Sequence, residues 1–332
     1  MLLHPLDYQC IAKVVPFYWP QTEKQDNSSI AGGLTNGQTH LEICNHLTIY
    51  LETKQLKYGN MKKYYDALLY TFTFILMQVV ASVIVAAALK LGLGIPSESQ
   101  GLAIVVGSAA LSGVAVTLLF WKLKWCLMSL NYMKSKPFMV LLITFLLSLM
   151  IVIPITTIEE FIPERWTQNL LGDMFEELLG SFWGYIVIAL VAPVSEEVVF
   201  RGGVLRRLMQ RNEGEAPLTA KQRWTAIAIS AACFSFIHLN PAQIPHTFLV
   251  GLLLGWLYCR TGSIIPGVIY HWANNSLAFV IVWLFPDLPA DAKMAELFQG
   301  NHTAHAIAFI ITAIISAVLL RMLYSATAKR AE

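Results

Sequence analysis

The sequence predicts an all-α, polytopic membrane helical bundle of about eight transmembrane helices with both termini cytoplasmic. Three observations predict it. Over 332 residues, hydrophobic side chains make up 56% and charged ones only 13%, where an average soluble domain carries about 25% charged; mean hydropathy is +0.57. From residue 61 onward, apolar segments recur at lengths close to the ~20 residues that cross a bilayer at 1.5 Å rise per residue. Lysines and arginines gather in alternate connections, as expected when basic loops stay cytoplasmic.

Residues 1–60 differ from the rest. They are polar and mixed, contain Gly32-Gly33 and Asn36-Gly37, and hold no sustained period. A poorly ordered cytoplasmic extension is expected there. A second reading starts translation at Met61, because MKKYYDALLY sets two lysines ahead of a span. The first residues, MLLHPLDYQCIAKVV, lack the basic region and continuous apolar core of a secretory signal.

The integral membrane domain is 61–332, and its spans fall at about 66–92, 102–121, 138–158, 181–205, 224–239, 244–259, 264–285 and 304–323. The fifth and sixth are short. Asn240-Pro241 between them makes a tight helical hairpin that need not cross fully. Lys62 and Lys63 precede the first span. Lys122, Lys124, Lys134 and Lys136 lie between the second and third. Arg206, Arg207, Arg211, Lys221 and Arg223 lie between the fourth and fifth, Arg260 between the sixth and seventh, and Arg321, Lys329 and Arg330 near the end. The alternate loops carry Arg165 and Lys293, with Lys90 at a span end, and the loop at 159–177 is acidic. Residues 166–180, WTQNLLGDMFEELLG, read as an amphipathic interfacial helix.

The polar residues inside the spans carry the functional signal. Glu196 and Glu197 follow an uncharged run from Ser181 to Ser195. Ionised groups in hydrocarbon are costly and mark function or a buried pair. Glu197 and Arg201 are four apart and share a helix face; Glu196 lies about 100° round the helix, away from that arginine. One carboxylate is therefore expected to hold structure and the other to be left for chemistry. His238 closes the fifth span, His246 opens the sixth, and His271 and Asn275, four apart, share a face of the seventh.

Each such group destabilises a lipid-facing helix unless it faces an interior. The simplest arrangement puts Glu196, His238, His271 and Asn275 around one polar cavity. A carboxylate and a histidine can orient and deprotonate water. A histidine and an asparagine amide can donate to a developing oxyanion. That is equipment for hydrolysing an amide by direct water attack. Glu196, His238 and His271 could instead hold a divalent metal such as zinc with an open water position; the metal-free and metal-bound readings stand equally. Glu159-Glu160 and Glu176-Glu177 are also adjacent pairs but lack the following arginine, and are expected to be solvated. The five cysteines have no metal-type spacing. No GxGxxG, GxxxxGK[ST], HExxH or GxSxG motif occurs, and the basic residues flank membrane spans, which excludes nucleic acid as a partner.

Three segments together resemble a known family. EEVVFR (Glu196 to Arg201) is similar to the EExxxR motif of the CPBP, or Abi, family of CAAX proteases and bacteriocin-processing proteins. FSFIH (Phe234 to His238) is similar to its FxxxH motif, and HWANN (His271 to Asn275) to its HxxxN motif. The resemblance covers about 180–285 and includes the type II CAAX prenyl endopeptidases. It implies an eight-span intramembrane endopeptidase. Glu196 and His238 would activate water, His271 and Asn275 would stabilise the oxyanion, and Glu197 and Arg201 would support them. Membrane-associated substrates, including prenylated CAAX-type proteins, and a multi-pass place in the cell membrane follow from it. A non-catalytic immunity or partner-binding protein on the same fold, and a proton-coupled transporter using Glu196, His238 and His271 as a relay, are the alternatives.

Overall fold

A computed structural model describes residues 37–92, 100–129, 131–170, 172–211, 215–287 and 292–328. The chain divides into two units, Met1–Lys62 and Lys63–Glu332. Residues 1–36 of the expected extension lie outside the described residues; 37–60 are helical, the first part of α1 (Gly37–Lys90).

The second unit is a helical bundle. After α1 come α2 (Gln100–Lys122), α3 (Phe138–Glu159), the short α4 (Gly172–Leu179) and α5 (Phe182–Leu208). They are followed by α6 (Ala220–Phe236), α7 (Ile244–Thr261), α8 (Ile265–Leu284) and α9 (His302–Ala326). All eight expected spans are helices. Among the described residues five are long and apolar enough to cross a membrane: Met61–Lys90 of α1, then α2, α3, α5 and α9. The other three, α6, α7 and α8, fall short of that by length or composition, α6 having 17 residues. The protein is thus an integral membrane helical bundle.

Helix ends follow local chemistry. Thr219 and Gln222 form a reciprocal capping box at the start of α6. Pro245 and Pro266 occupy the first turns of α7 and α8, where a missing N–H costs nothing. α7 stops at Gly262, whose φ of +64° suits a residue without a β-carbon. The expected interfacial helix is reduced to α4; it buries Leu178 and Leu179 and leaves Glu176 and Glu177 exposed.

α5 is the centre of the bundle. Val198, Val199, Phe200, Val204 and Leu205 are all fully buried, packed with Phe120 of α2 and Ile227 and Phe234 of α6. Two stretches of α5, Ile186–Val191 and Glu197–Leu205, wind as wider π-helix, a departure that recurs at functional sites. The outer helices instead expose apolar faces, such as Leu68, Phe72 and Val83 on α1 and Ile310, Ile314 and Val318 on α9. Such faces suit lipid.

Candidate active site

The site is built where α5, α6, α7 and α8 meet. Its base is the pair expected from the sequence. Arg201 Nη1 donates to Glu197 Oε1 at 2.6 Å, and both side chains are 0% exposed. Arg201 Nη2 also donates to the Gly251 carbonyl of α7 at 3.2 Å, and the guanidinium lies 4.4 Å from the centre of the Phe234 ring. One arginine therefore joins α5 to α6 and α7. Gly267 of α8 packs directly on Glu197: a methyl group added there would overlap Glu197 Oε2.

That close approach brings α8 to the carboxylates. His271 stands between them, with Nε2 3.7 Å from Glu196 Oε2 and Nδ1 3.8 Å from Glu197 Oε1. Both separations exceed a direct hydrogen bond. Glu196 Oε2 and His271 Nδ1 are buried without a hydrogen-bond partner.

His238 lies beyond the end of α6, in the turn after Phe236, and not within the helix. Its Nδ1 is 3.0 Å from the Phe234 carbonyl. A carbonyl can only accept, so Nδ1 carries the proton and Nε2 keeps a lone pair. The Phe234 ring meets both imidazoles edge to face, 5.2 Å from His238 and 5.7 Å from His271, and spaces them apart. Asn275 donates through Nδ2 to the Ile188 carbonyl of α5 at 2.8 Å; the amide keeps a second N–H.

Glu196, His238, His271 and Asn275 line one cavity of about 380 Å³. These residues, drawn from three spans, are thus brought together on the wall of a common cavity. A smaller, largely apolar cavity of about 210 Å³ adjoins it, sharing Phe175, His246, Asn274 and Ala278.

Two features were not read from the sequence. Glu159, expected to be solvated, pairs with His246: His246 Nδ1 is 3.2 Å from Glu159 Oε1, with side chains 27% and 16% exposed. Glu160 stays exposed and accepts from the Met294 backbone N–H. The correction follows from α3 ending against the first turn of α7, 87 residues away. The only signal was His246 itself, an ionisable residue opening a span. Asn240, 1% exposed, is likewise a structural tie: it accepts from Leu170 N and donates to Asn169.

Glu196, His238 and His271 were the candidate metal ligands. Among the described residues no three His, Cys, Asp or Glu side chains converge as ligands of one metal ion. No step is derived through a metal here.

Residues 177–277 match the family described as type II CAAX prenyl endopeptidase, Rce1-like. The match contains all three motifs. No curated protein and no solved structure matches the chain.

Proposed function

From a core at residues 177–277 that is of the CPBP, or CAAX protease, family, we propose that the chain is an intramembrane endopeptidase. It hydrolyses peptide bonds of membrane-associated proteins or peptides. The observation that carries the reading is Glu196, buried with an unpartnered oxygen 3.7 Å from His271, in a cavity that His238 and Asn275 also line.

In this mechanism Glu196 takes a proton from a water that His238 Nε2 orients. The hydroxide oxygen bonds to the carbonyl carbon of the peptide. His271 and the free N–H of Asn275 donate to the oxyanion that forms. Glu196 returns the proton to the leaving nitrogen as the C–N bond breaks, so one water is consumed and one amine and one carboxylic acid are released. Glu197 and Arg201 hold α5 in register beneath these groups. The dry surroundings of the pair strengthen each of these interactions.

Water activation by Glu196 and His238 without a metal is the form of the mechanism we favour, supported by the lone pair that His238 Nε2 keeps while its Nδ1 is held by the Phe234 carbonyl. Metal content of the purified protein, measured before and after chelation together with activity, tests this: activity retained by metal-free protein supports it, and activity lost and restored with metal overturns it. The bundle is proposed to have eight spans with both termini cytoplasmic, in the cell membrane. Cleavage by a Glu196→Gln protein that inserts and folds normally would sink the protease reading.

A further inference from the structure

A carbonyl in an α-helix accepts from the N–H four residues on, and one in a π-helix from the N–H five residues on. Ile188 of α5 has neither donor. It lies in the π-wound stretch Ile186–Val191, where the Ala192 N–H, four residues on, goes to the Val187 carbonyl instead. The residue five on is Pro193, whose ring nitrogen carries no hydrogen. A proline inside a helix is ordinarily disfavoured for that reason, and an unpaired backbone carbonyl is costly in apolar surroundings.

The missing bond is supplied by another helix. Asn275 Nδ2 of α8 donates to the Ile188 carbonyl at 2.8 Å. This bond also settles which way the amide lies. The terminal torsion of an asparagine is broad and two-fold, so the amide alone has little preference between presenting Oδ1 and presenting Nδ2. A carbonyl only accepts, so Nδ2 sits against Ile188 and its second N–H is held in place. Ile188, Ala192, Glu196, His271 and Asn275 line the same cavity. An amide turned half round would offer an acceptor there, which repels a developing oxyanion instead of stabilising it.

α8 has other ties to α5. The Tyr185 hydroxyl, next to the π-wound stretch, accepts from Trp272 Nε1 at 3.4 Å and lies 3.3 Å from Ser276 Oγ. Gly267 packs on Glu197 one turn before His271. These contacts bracket His271 and Asn275 along the helix. The bond to Ile188 therefore sets the amide, while they set the helix.

We propose that Pro193 is a positioning residue for the hydrolysis: by withholding an N–H from the Ile188 carbonyl, it reserves that carbonyl for Asn275 and so holds the amide with a donor available to the oxyanion. This rests on the protease reading. Pro193 is buried and acts through Ile188 and Asn275.

The test is a cycle of Pro193→Ala and Asn275→Ala in the full-length protein, purified in detergent. Pro193→Ala restores an N–H that competes for the Ile188 carbonyl; Pro193→Gly restores the same N–H and replaces it if that variant fails to accumulate. Asn275→Ala alone strips the carbonyl of its donor and is expected to lower the melting temperature by about 2–6 °C. Adding Pro193→Ala should return at least half of that loss, a gain it does not give in the parent protein. Additive melting temperatures overturn the proposal. The second readout is the side-chain amide signal in protein isotopically labelled at asparagine nitrogen, where the proton pair absent from Asn275→Ala identifies Asn275. Its hydrogen-bonded proton should move upfield in Pro193→Ala, which a merely structural role would not cause; an unmoved pair overturns the proposal. New membrane-protein N-termini should fall by about tenfold in Pro193→Ala, less than the ~10²–10³ lost with a whole oxyanion donor. Undiminished cleavage overturns the positioning role. If the parent protein generates no new N-termini at all, the protease reading fails, while the melting temperatures and the amide signal still decide whether Pro193 reserves the carbonyl for Asn275.

Discussion

Nε2 of His271 stands 3.7 Å from Oε2 of Glu196. These residues come from α8 and α5, and the contact depends on how closely the two helices approach. Gly267, one turn before His271, is where they touch: its missing side chain leaves the room that the Glu197 carboxylate occupies.

Gly267→Ala is therefore expected to force the helices apart. Overpacking of this kind costs about 1–3 kcal/mol, and the displaced His271 should lower cleavage as well. Gly101→Ala on α2, where a methyl meets nothing within 4 Å, is the control and should leave both unchanged or slightly raise stability. Thermal unfolding in detergent and cleavage rate, measured together, check this.

The Glu197–Arg201 pair should behave as a unit. Glu197→Ala or Arg201→Ala leaves one charge buried at 0% exposure without its partner and should cost about 3–5 kcal/mol. Glu196→Ala should cost clearly less. A double replacement, Glu197→Leu with Arg201→Met, should recover much of the stability, since two apolar side chains need no partner. Equal melting temperatures for the three single variants would count against the pairing.

Asn240 offers a smaller, separable effect. Asn240→Ala removes the acceptor for Leu170 N at 3.2 Å and the donor to Asn169 at 2.9 Å, and should cost about 1–3 kcal/mol. Asn240→Asp keeps the acceptor and should lose less. Unfolding by denaturant, with each variant compared to its parent, gives the difference.

Cys126 lies in the connection after α2, 2% exposed, where burial pushes its thiol up to about 11. The thiolate is the reactive form. At pH 8 roughly one thiol in a thousand is ionised, by the tenfold change per pH unit. Cys126 should resist alkylation in the folded protein and label rapidly once it is denatured, as read by mass spectrometry of its peptide. Cys126 Sγ lies against Gly202 of α5, where a methyl group would overlap it, and rapid labelling of the folded protein would show that this packing is open.

The parts of this structure legible in the sequence are those encoded locally. Apolar runs of span length marked α2, α3 and α5 to α9 to within a few residues, while α1 begins at Gly37, well before its apolar run. The four-residue spacing of Glu197 and Arg201 gave their pairing, because that interaction lies within one helix. The residues of the candidate site were legible as costly polar groups in apolar surroundings. What was not legible depends on contacts between distant segments. The position of His271 between two carboxylates is set by Gly267 packing on Glu197, which no periodicity announces. Glu159 was read as solvated because its partner, His246, is 87 residues away. The π-helical winding of α5 left no mark in the order of its residues, and His238 fell just outside a helix whose end the sequence does not signal.

The most direct measurement is the set of new N-termini in membranes that contain the wild-type protein, compared with membranes that contain Glu196→Gln at equal abundance. The substitution keeps the shape of the side chain and removes the base. Loss of the wild-type cleavage products by a factor of about 10² or more, with insertion and melting temperature retained, is the expected result. Cleavage at the wild-type rate by the folded Glu196→Gln protein would contradict the role given to Glu196 and the mechanism built on it.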